Sequence, residues 1–163
     1  MTEHAPAIFV ALEGSAFAAA IRSSTWAYMV ANVGHILSLM VFFGAMAVMD
    51  LRMAGVFAAT SPASILRGGT IVAVAGFIGL ALTGFVLFAA EASHVALNPV
   101  FQIKVALIVL GGLNVLWFEW RVSPTVQQIP PLQPLPASAR FAGISSLTIW
   151  LLVAACGRSI AYF

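Results

Sequence analysis

Apolar residues dominate four long stretches of the chain, and more polar segments separate them. The stretches run over residues 26–49, 70–92, 101–120 and 141–162. Each is close to the ~20 apolar residues, rising ~1.5 Å each, that cross a ~30 Å hydrocarbon core. They lack the alternation of a membrane barrel, and a spanning segment must satisfy its own backbone hydrogen bonds. The pattern therefore predicts four membrane-spanning helices.

Composition agrees with this pattern. Of the 163 residues, 62% are hydrophobic and 7% are charged, with a mean hydropathy of +1.06. Such a chain has too little polar surface for a soluble globule. We therefore expect an all-α integral membrane protein of one domain, in which four transmembrane helices form an up-down bundle.

Residues 1–25 precede the first stretch. Glu13 interrupts the apolar run over residues 7–21, and the leading region carries Glu3 but no Lys or Arg, which is not typical of a signal peptide. We interpret the segment as an N-terminal interfacial helix that ends at Arg22.

Charge excludes one class of partner. The seven Lys and Arg residues and five Asp and Glu residues give a net charge of +2, and the basic residues are scattered. Nucleic-acid binding needs a basic patch, so we expect no nucleic-acid partner. The loops after the first and third spans carry one basic residue more than the opposite face. By the positive-inside rule, this places both termini outside the cytoplasm.

Three spans contain basic residues that lipid cannot solvate, and such residues are functional candidates by default. They are His35, Lys104 and Arg158. If the helices cross alternately, these residues come to the same side of the membrane. Three further residues join them there: Glu91, His94 and Tyr162.

His35 admits two interpretations. Asn32 and Ser38 lie on the same helix face and could satisfy its hydrogen bonds as in an ordinary core. In a four-helix membrane bundle, the alternative is axial ligation of haem, because iron takes a neutral imidazole and the flat ring fits between apolar helices.

His94 is the natural second ligand. At ~1.5 Å per residue, His35 lies ~13 Å below Trp26, whereas His94 lies only ~6 Å from the helix end at Asn98. The two histidines share one iron, or each serves its own, or His35 acts alone. We therefore expect one haem b per subunit, or two.

Haem propionates are anions that lie near the membrane surface, where Arg and Lys hold them. The candidates are Arg158, Lys104 and Arg22, and Tyr28 and Asn32 accompany His35 on its helix. The alternative role of the basic residues is to extend toward lipid head groups.

The His35 stripe continues through Met46, Met49 and Met53. We interpret these methionines as core, the alternative being thioether coordination of a soft metal such as Cu(I). Five charged residues lie toward the same end of the bundle as these methionines, and we expect cross-helix ion pairs among them: Asp50, Arg52, Arg67, Glu119 and Arg121.

Small residues mark two faces of the second span. One face carries Ala75, Gly79 and Thr83, and the other carries Gly76. Small residues let helices approach closely in membranes, so we expect a homo-oligomer in contact with lipid.

Short motifs resemble a known group. They are His35 in the first span, the run Asp50, Leu51, Arg52 with Gly55, and the run Asn98, Pro99, Phe101 with Lys104. These motifs resemble a largely uncharacterised family of small bacterial four-helix membrane proteins, and the bundle is distantly similar to small membrane cytochromes b. The resemblance implies the bacterial inner membrane, b-type haem and electron transfer.

The sequence-based hypothesis is therefore a membrane b-type haem protein that carries single electrons, with quinone or a reactive oxygen species as partner. It would make the protein a membrane oxidoreductase. The alternatives are a small transporter or channel subunit with a polar pathway at His35 and Arg158, and a structural subunit of a membrane oligomer.

Overall fold

The computed structural model describes residues 5–162, and these residues contain helices but no strand. Eight α-helices follow in order: α1 (Ala7–Glu13), α2 (Ala16–Ser23), α3 (Thr25–Ala54), α4 (Pro62–Ala90), α5 (Ala92–Leu97), α6 (Pro99–Trp117), α7 (Ser123–Val126) and α8 (Ala137–Ser159). A π-helical turn, Phe118–Val122, joins α6 to α7, and a 3₁₀ turn, Ile160–Tyr162, follows α8.

Four of these helices are long and apolar enough to cross a membrane: α3, α4, α8 and the continuous segment Pro99–Val126. The four predicted spans are thus confirmed as helices, and they indicate a multi-pass membrane protein. Three spans are longer than predicted. The third covers Pro99–Val126 rather than residues 101–120. α3 continues to Ala54, and Gly55, with a φ of 106°, ends it. α4 begins at Pro62, where the Ser61 side chain caps the first turn.

The N-terminal segment forms two helices rather than the single predicted one. Gly14 and Ser15 separate them, and the Ser15 hydroxyl accepts a hydrogen bond from the Ala18 amide at 3.2 Å. Ala18 and Ile21 are buried, and α2 packs against α3 and α4. This segment is therefore docked on the bundle. Glu3 lies outside the described residues.

Glu13 fixes the end of α1 to α5. Its Oε2 accepts a hydrogen bond from the Ser93 amide at 2.7 Å. Hydrogen bonds from Ser93 favour the ionised carboxylate and lower the pKa of Glu13. The carboxylate thereby satisfies an amide in the first turn of α5.

The four long helices pack in the spatial order α4, α3, α8, α6. α3 contacts both α4 and α8, whereas α6 packs on α8, and α4 and α6 make little direct contact. Neighbours run antiparallel, since Met49 faces Gly69 and His35 faces Thr83, while Asn114 bonds to Ala142. These residue pairs confirm that the four long helices alternate in direction.

Glycines allow the closest helix contacts. A Cβ on Gly76 would lie 2.7 Å from the backbone nitrogen of Phe42, and one on Gly143 would lie 2.7 Å from the Asp50 carbonyl oxygen. Gly79 lies against the side chain of Ser38. The glycine faces of α4 predicted to join subunits therefore pack against α3 within the chain, while Ala75 is exposed.

The methionine stripe of α3 is core, as predicted. Met46, Met49 and Met53 are buried in one apolar cluster with Phe42 and Trp150.

Candidate functional site

The sequence-predicted site residues lie toward one end of the bundle, but they do not form one cluster. Arg22 Nη1 donates to the carbonyl of Ala90 at 3.0 Å, which ties α2 to the last turn of α4. Asn98 caps α6 and also donates to the Ile160 carbonyl at 3.5 Å, so the start of α6 lies beside the end of α8. The predicted common end is therefore correct.

Each predicted propionate ligand has a different environment. The Arg158 guanidinium lies 4.7 Å from the centre of the Tyr162 ring and bonds to its hydroxyl. Lys104 is partly buried, with its ammonium near Gly157. Tyr28 and Asn32 are exposed and have no side-chain hydrogen bond among the described residues. Of these residues, Lys104 lies near enough to His35 for an electrostatic interaction between the two side chains.

His35 is half-buried between α3 and α4. Its Nδ1 lies 3.0 Å from Thr83 Oγ1, and that hydroxyl lies 2.6 Å from the Gly79 carbonyl oxygen. The short contact with the carbonyl favours donation of the hydroxyl proton to Gly79, and Thr83 then accepts from Nδ1–H. The geometry therefore assigns the tautomer with a free lone pair on Nε2. Asn32 and Ser38, proposed as alternative partners, do not bond to the ring.

His94 does not lie beside His35. It is exposed on α5, eleven residues after Thr83, which corresponds to about 16 Å of helical rise. Glu91 breaks the helix between Thr83 and His94. Two ligands of one iron must lie at nearly the same depth, so this arrangement does not fit one iron shared within the chain.

Metal-ligand side chains are sparse. Within residues 5–162, no group of three or more His, Cys, Asp or Glu side chains could hold a metal ion. Cys156 is a free thiol in α8. A metal site built only from such groups is therefore not present in this part of the chain, whereas axial ligation of haem by one histidine needs no such group.

A cavity of about 400 Å³ lies in the other half of the bundle. All four long helices line it, and its deep wall carries Phe42, Asp50 and Ser146 with Trp150. None of the predicted cofactor or metal residues lines it. This volume lies within the ~300–1,000 Å³ of typical ligand pockets.

The cavity opens sideways, between α4 and α6. Val74 and Phe77 of α4 and Leu116 of α6 line it, yet each is at least 43% exposed. At the opposite end of these helices, Phe88 and Phe101 stack at 5.3 Å and close the gap. The opening therefore faces the apolar outer surface of the bundle.

Three buried polar atoms belong to side chains that line this cavity. Asp50 Oδ2, Ser146 Oγ and Trp150 Nε1 have no hydrogen-bond partner among the described residues. Their residues are 6%, 3% and 6% exposed. Ser146 lies near enough to interact with the Asp50 carboxyl, but outside hydrogen-bonding geometry. Unsatisfied polar groups at a concave apolar wall are features of a binding site.

The cross-helix ion pairs predicted at this end of the bundle are wrong for the two buried residues, Asp50 and Arg52. Arg52 is 1% exposed and donates from Nε to the carbonyl of Thr60, in the loop that follows α3. Asp50 has no basic partner. Arg52 bonds within its own segment because the loop after α3 folds back over it and offers a backbone carbonyl as acceptor.

Sequence reasoning missed Ser146 and Trp150. They stand four residues apart on α8, so they share a helix face. A hydroxyl and an indole one turn apart on the same face of a span are the signal that could have found them.

Comparisons with protein-family models, with curated proteins and with solved structures find no match.

Proposed function

We propose that this protein inserts into the membrane through its four long helices and binds a lipophilic small molecule that enters sideways from the bilayer. The cavity carries this proposal. It combines apolar walls, unsatisfied buried polar atoms and an opening between α4 and α6. Small-molecule sites typically pair such walls with a few polar groups that fix the orientation of the ligand.

This proposal belongs to the transporter and binding-protein class, but it places the site at Asp50 rather than at His35 and Arg158. Arg158 is exposed and already paired with Tyr162, whereas Asp50 is buried and its Oδ2 has no hydrogen-bond partner among the described residues. Polar groups inside membrane bundles mark the paths or sites of substrates.

Gly112 provides a direct test, because it lines the cavity and a Cβ there would meet nothing within 4 Å. Gly112→Leu should introduce a side chain into the cavity, and its Cβ would not clash. Gly44 also has open space but does not line the cavity, so Gly44→Leu is the matched control.

Binding should be measured with three radiolabelled phenyl-substituted probes: tetraphenylphosphonium, tetraphenylborate and neutral triphenylphosphine. The protein is held in lipid nanodiscs, and uptake by empty nanodiscs is subtracted. We expect saturable binding of at least one probe to the wild type and to Gly44→Leu, and loss of that binding in Gly112→Leu. Equal binding by both variants would contradict the proposal.

A second candidate function rests on His35. Its Nε2 lone pair is free, and the Thr83 hydroxyl fixes the ring through Nδ1, as supporting hydrogen bonds do for metal-bound histidines. This arrangement suits one axial bond to haem b, which would supply single-electron chemistry with quinone or a reactive oxygen species. The absorption spectrum of protein expressed with added haem tests it, because a colourless preparation would exclude bound haem.

A further inference from the structure

The charged groups that line the cavity are all acidic. Asp50 and Glu119 line it, and no Lys, Arg or His does. The nearest base along α3, Arg52, donates to the Thr60 carbonyl and is not part of the lining. Asp50 therefore has no counter-ion within the described residues.

Aromatic faces surround the same space. Phe42 contacts Trp150 edge to face at 4.6 Å between ring centres and Phe77 at 5.7 Å, and all three line the cavity. The negative faces of aromatic rings attract cations, most strongly where water is excluded. Both the charge and the ring surfaces thus favour a positively charged occupant.

We propose that the cavity binds an amphipathic organic cation, a quaternary ammonium or phosphonium centre with apolar substituents, with the Asp50 carboxylate as its counter-ion. This inference rests on the proposed function and adds the class of ligand. The substituents occupy the apolar walls, while the charged centre lies between Asp50 and the aromatic rings.

Other ligand classes fit these residues less well. An anion would meet two acidic side chains and no base. A neutral ligand would leave the buried carboxyl without an ionic partner, and unpaired buried polar groups are unfavourable. A small inorganic cation would find too few ligands, since the described residues hold no cluster of three or more metal-binding side chains.

The three probes separate this inference from the proposed function. Tetraphenylphosphonium and tetraphenylborate have nearly the same shape and opposite charge. We expect the cation to bind at least about tenfold more tightly than the anion or the neutral probe, because Asp50 is a buried acidic side chain in the cavity wall. If the neutral or anionic probe bound more tightly than the cation, the inference would be overturned. If Gly112→Leu abolished that binding too, the proposed function would still stand.

Asp50→Asn keeps the side-chain shape and removes the charge. Affinity for tetraphenylphosphonium should fall about tenfold or more, as expected when one member of a buried charge pair is lost. Glu91→Gln is the control, since Glu91 is exposed at the end of α4 and does not line the cavity. It should change the affinity much less.

Equal affinity of Asp50→Asn and wild type for the cation would overturn the role of Asp50. Folding is checked by circular dichroism and size-exclusion chromatography. If Asp50→Asn does not fold, the wild-type protein and the two glycine variants decide the question. The wild type should then bind the cation more tightly than the anion, Gly112→Leu should lose cation binding, and Gly44→Leu should retain it.

Discussion

The contact between α3 and α4 at Gly76 yields a stability prediction. A Cβ at this position would lie 2.7 Å from the Phe42 nitrogen and 2.9 Å from both its Cα and its Cβ. Non-bonded heavy atoms are most favourable at ~3.5–4.0 Å, so α4 would have to move by ~0.8 Å. Because two of these atoms are backbone, no change of side-chain rotamer can relieve the clash.

Overpacking of this kind costs ~1–3 kcal/mol. Replacing a helical glycine by alanine also brings a gain of ~1 kcal/mol in helix propensity. Gly44→Ala isolates that gain, since a Cβ at Gly44 meets nothing within 4 Å. We therefore expect Gly76→Ala to be ~1–3 kcal/mol less stable than Gly44→Ala.

Unfolding in mixed micelles by increasing sodium dodecyl sulfate, followed by far-ultraviolet circular dichroism, measures this difference. If Gly76→Ala proved as stable as Gly44→Ala, the packing argument would be refuted. If Gly76 instead faced a second copy of the chain, the substitution would dissociate an oligomer, and the unfolding midpoint would depend on protein concentration. A midpoint independent of concentration is the expected result.

Two further predictions concern Glu13 and His35. Hydrogen bonds from Ser93 lower the pKa of Glu13 from 4.5. The docking of α1 on α5 should therefore be complete above pH 4.5, and it should weaken as the pH falls through the lowered pKa of Glu13. Hydrogen exchange of α1, corrected for intrinsic rates, should show this loss in the wild type and none in Glu13→Gln. If haem is bound, His35→Ala should abolish its absorption band and Thr83→Val should weaken binding, while His94→Ala should change neither. A full spectrum in His35→Ala would exclude this ligand.

The spans were predictable because each depends on local information. Apolar length decides whether a segment spans, and proline and serine at positions such as Ser61 and Pro62 decide where a helix begins. Gly55 ends α3 because its backbone adopts a positive φ. These signals do not depend on which helices become neighbours.

The candidate site was not predictable in the same way, because it depends on helix neighbours. Gly76 and Ala75 are adjacent in sequence, but they lie about 100° apart around the helix, since one turn takes 3.6 residues. Only the structure shows which of them faces α3. The same limit applies to Arg52, which was expected in a cross-helix ion pair but bonds to a loop carbonyl instead.

The position of the cavity follows from three close contacts. α4 is held against the α3 backbone at Gly76, and α8 against it at Gly143. α6 approaches the Trp150 ring at Gly111, where a Cβ would lie 2.9 Å from that ring. These contacts fix the order α4, α3, α8, α6 and leave the outer two helices apart. Packed interiors deform little, so the gap between α4 and α6 cannot close without breaking a glycine contact. The cavity is therefore a consequence of how this bundle packs.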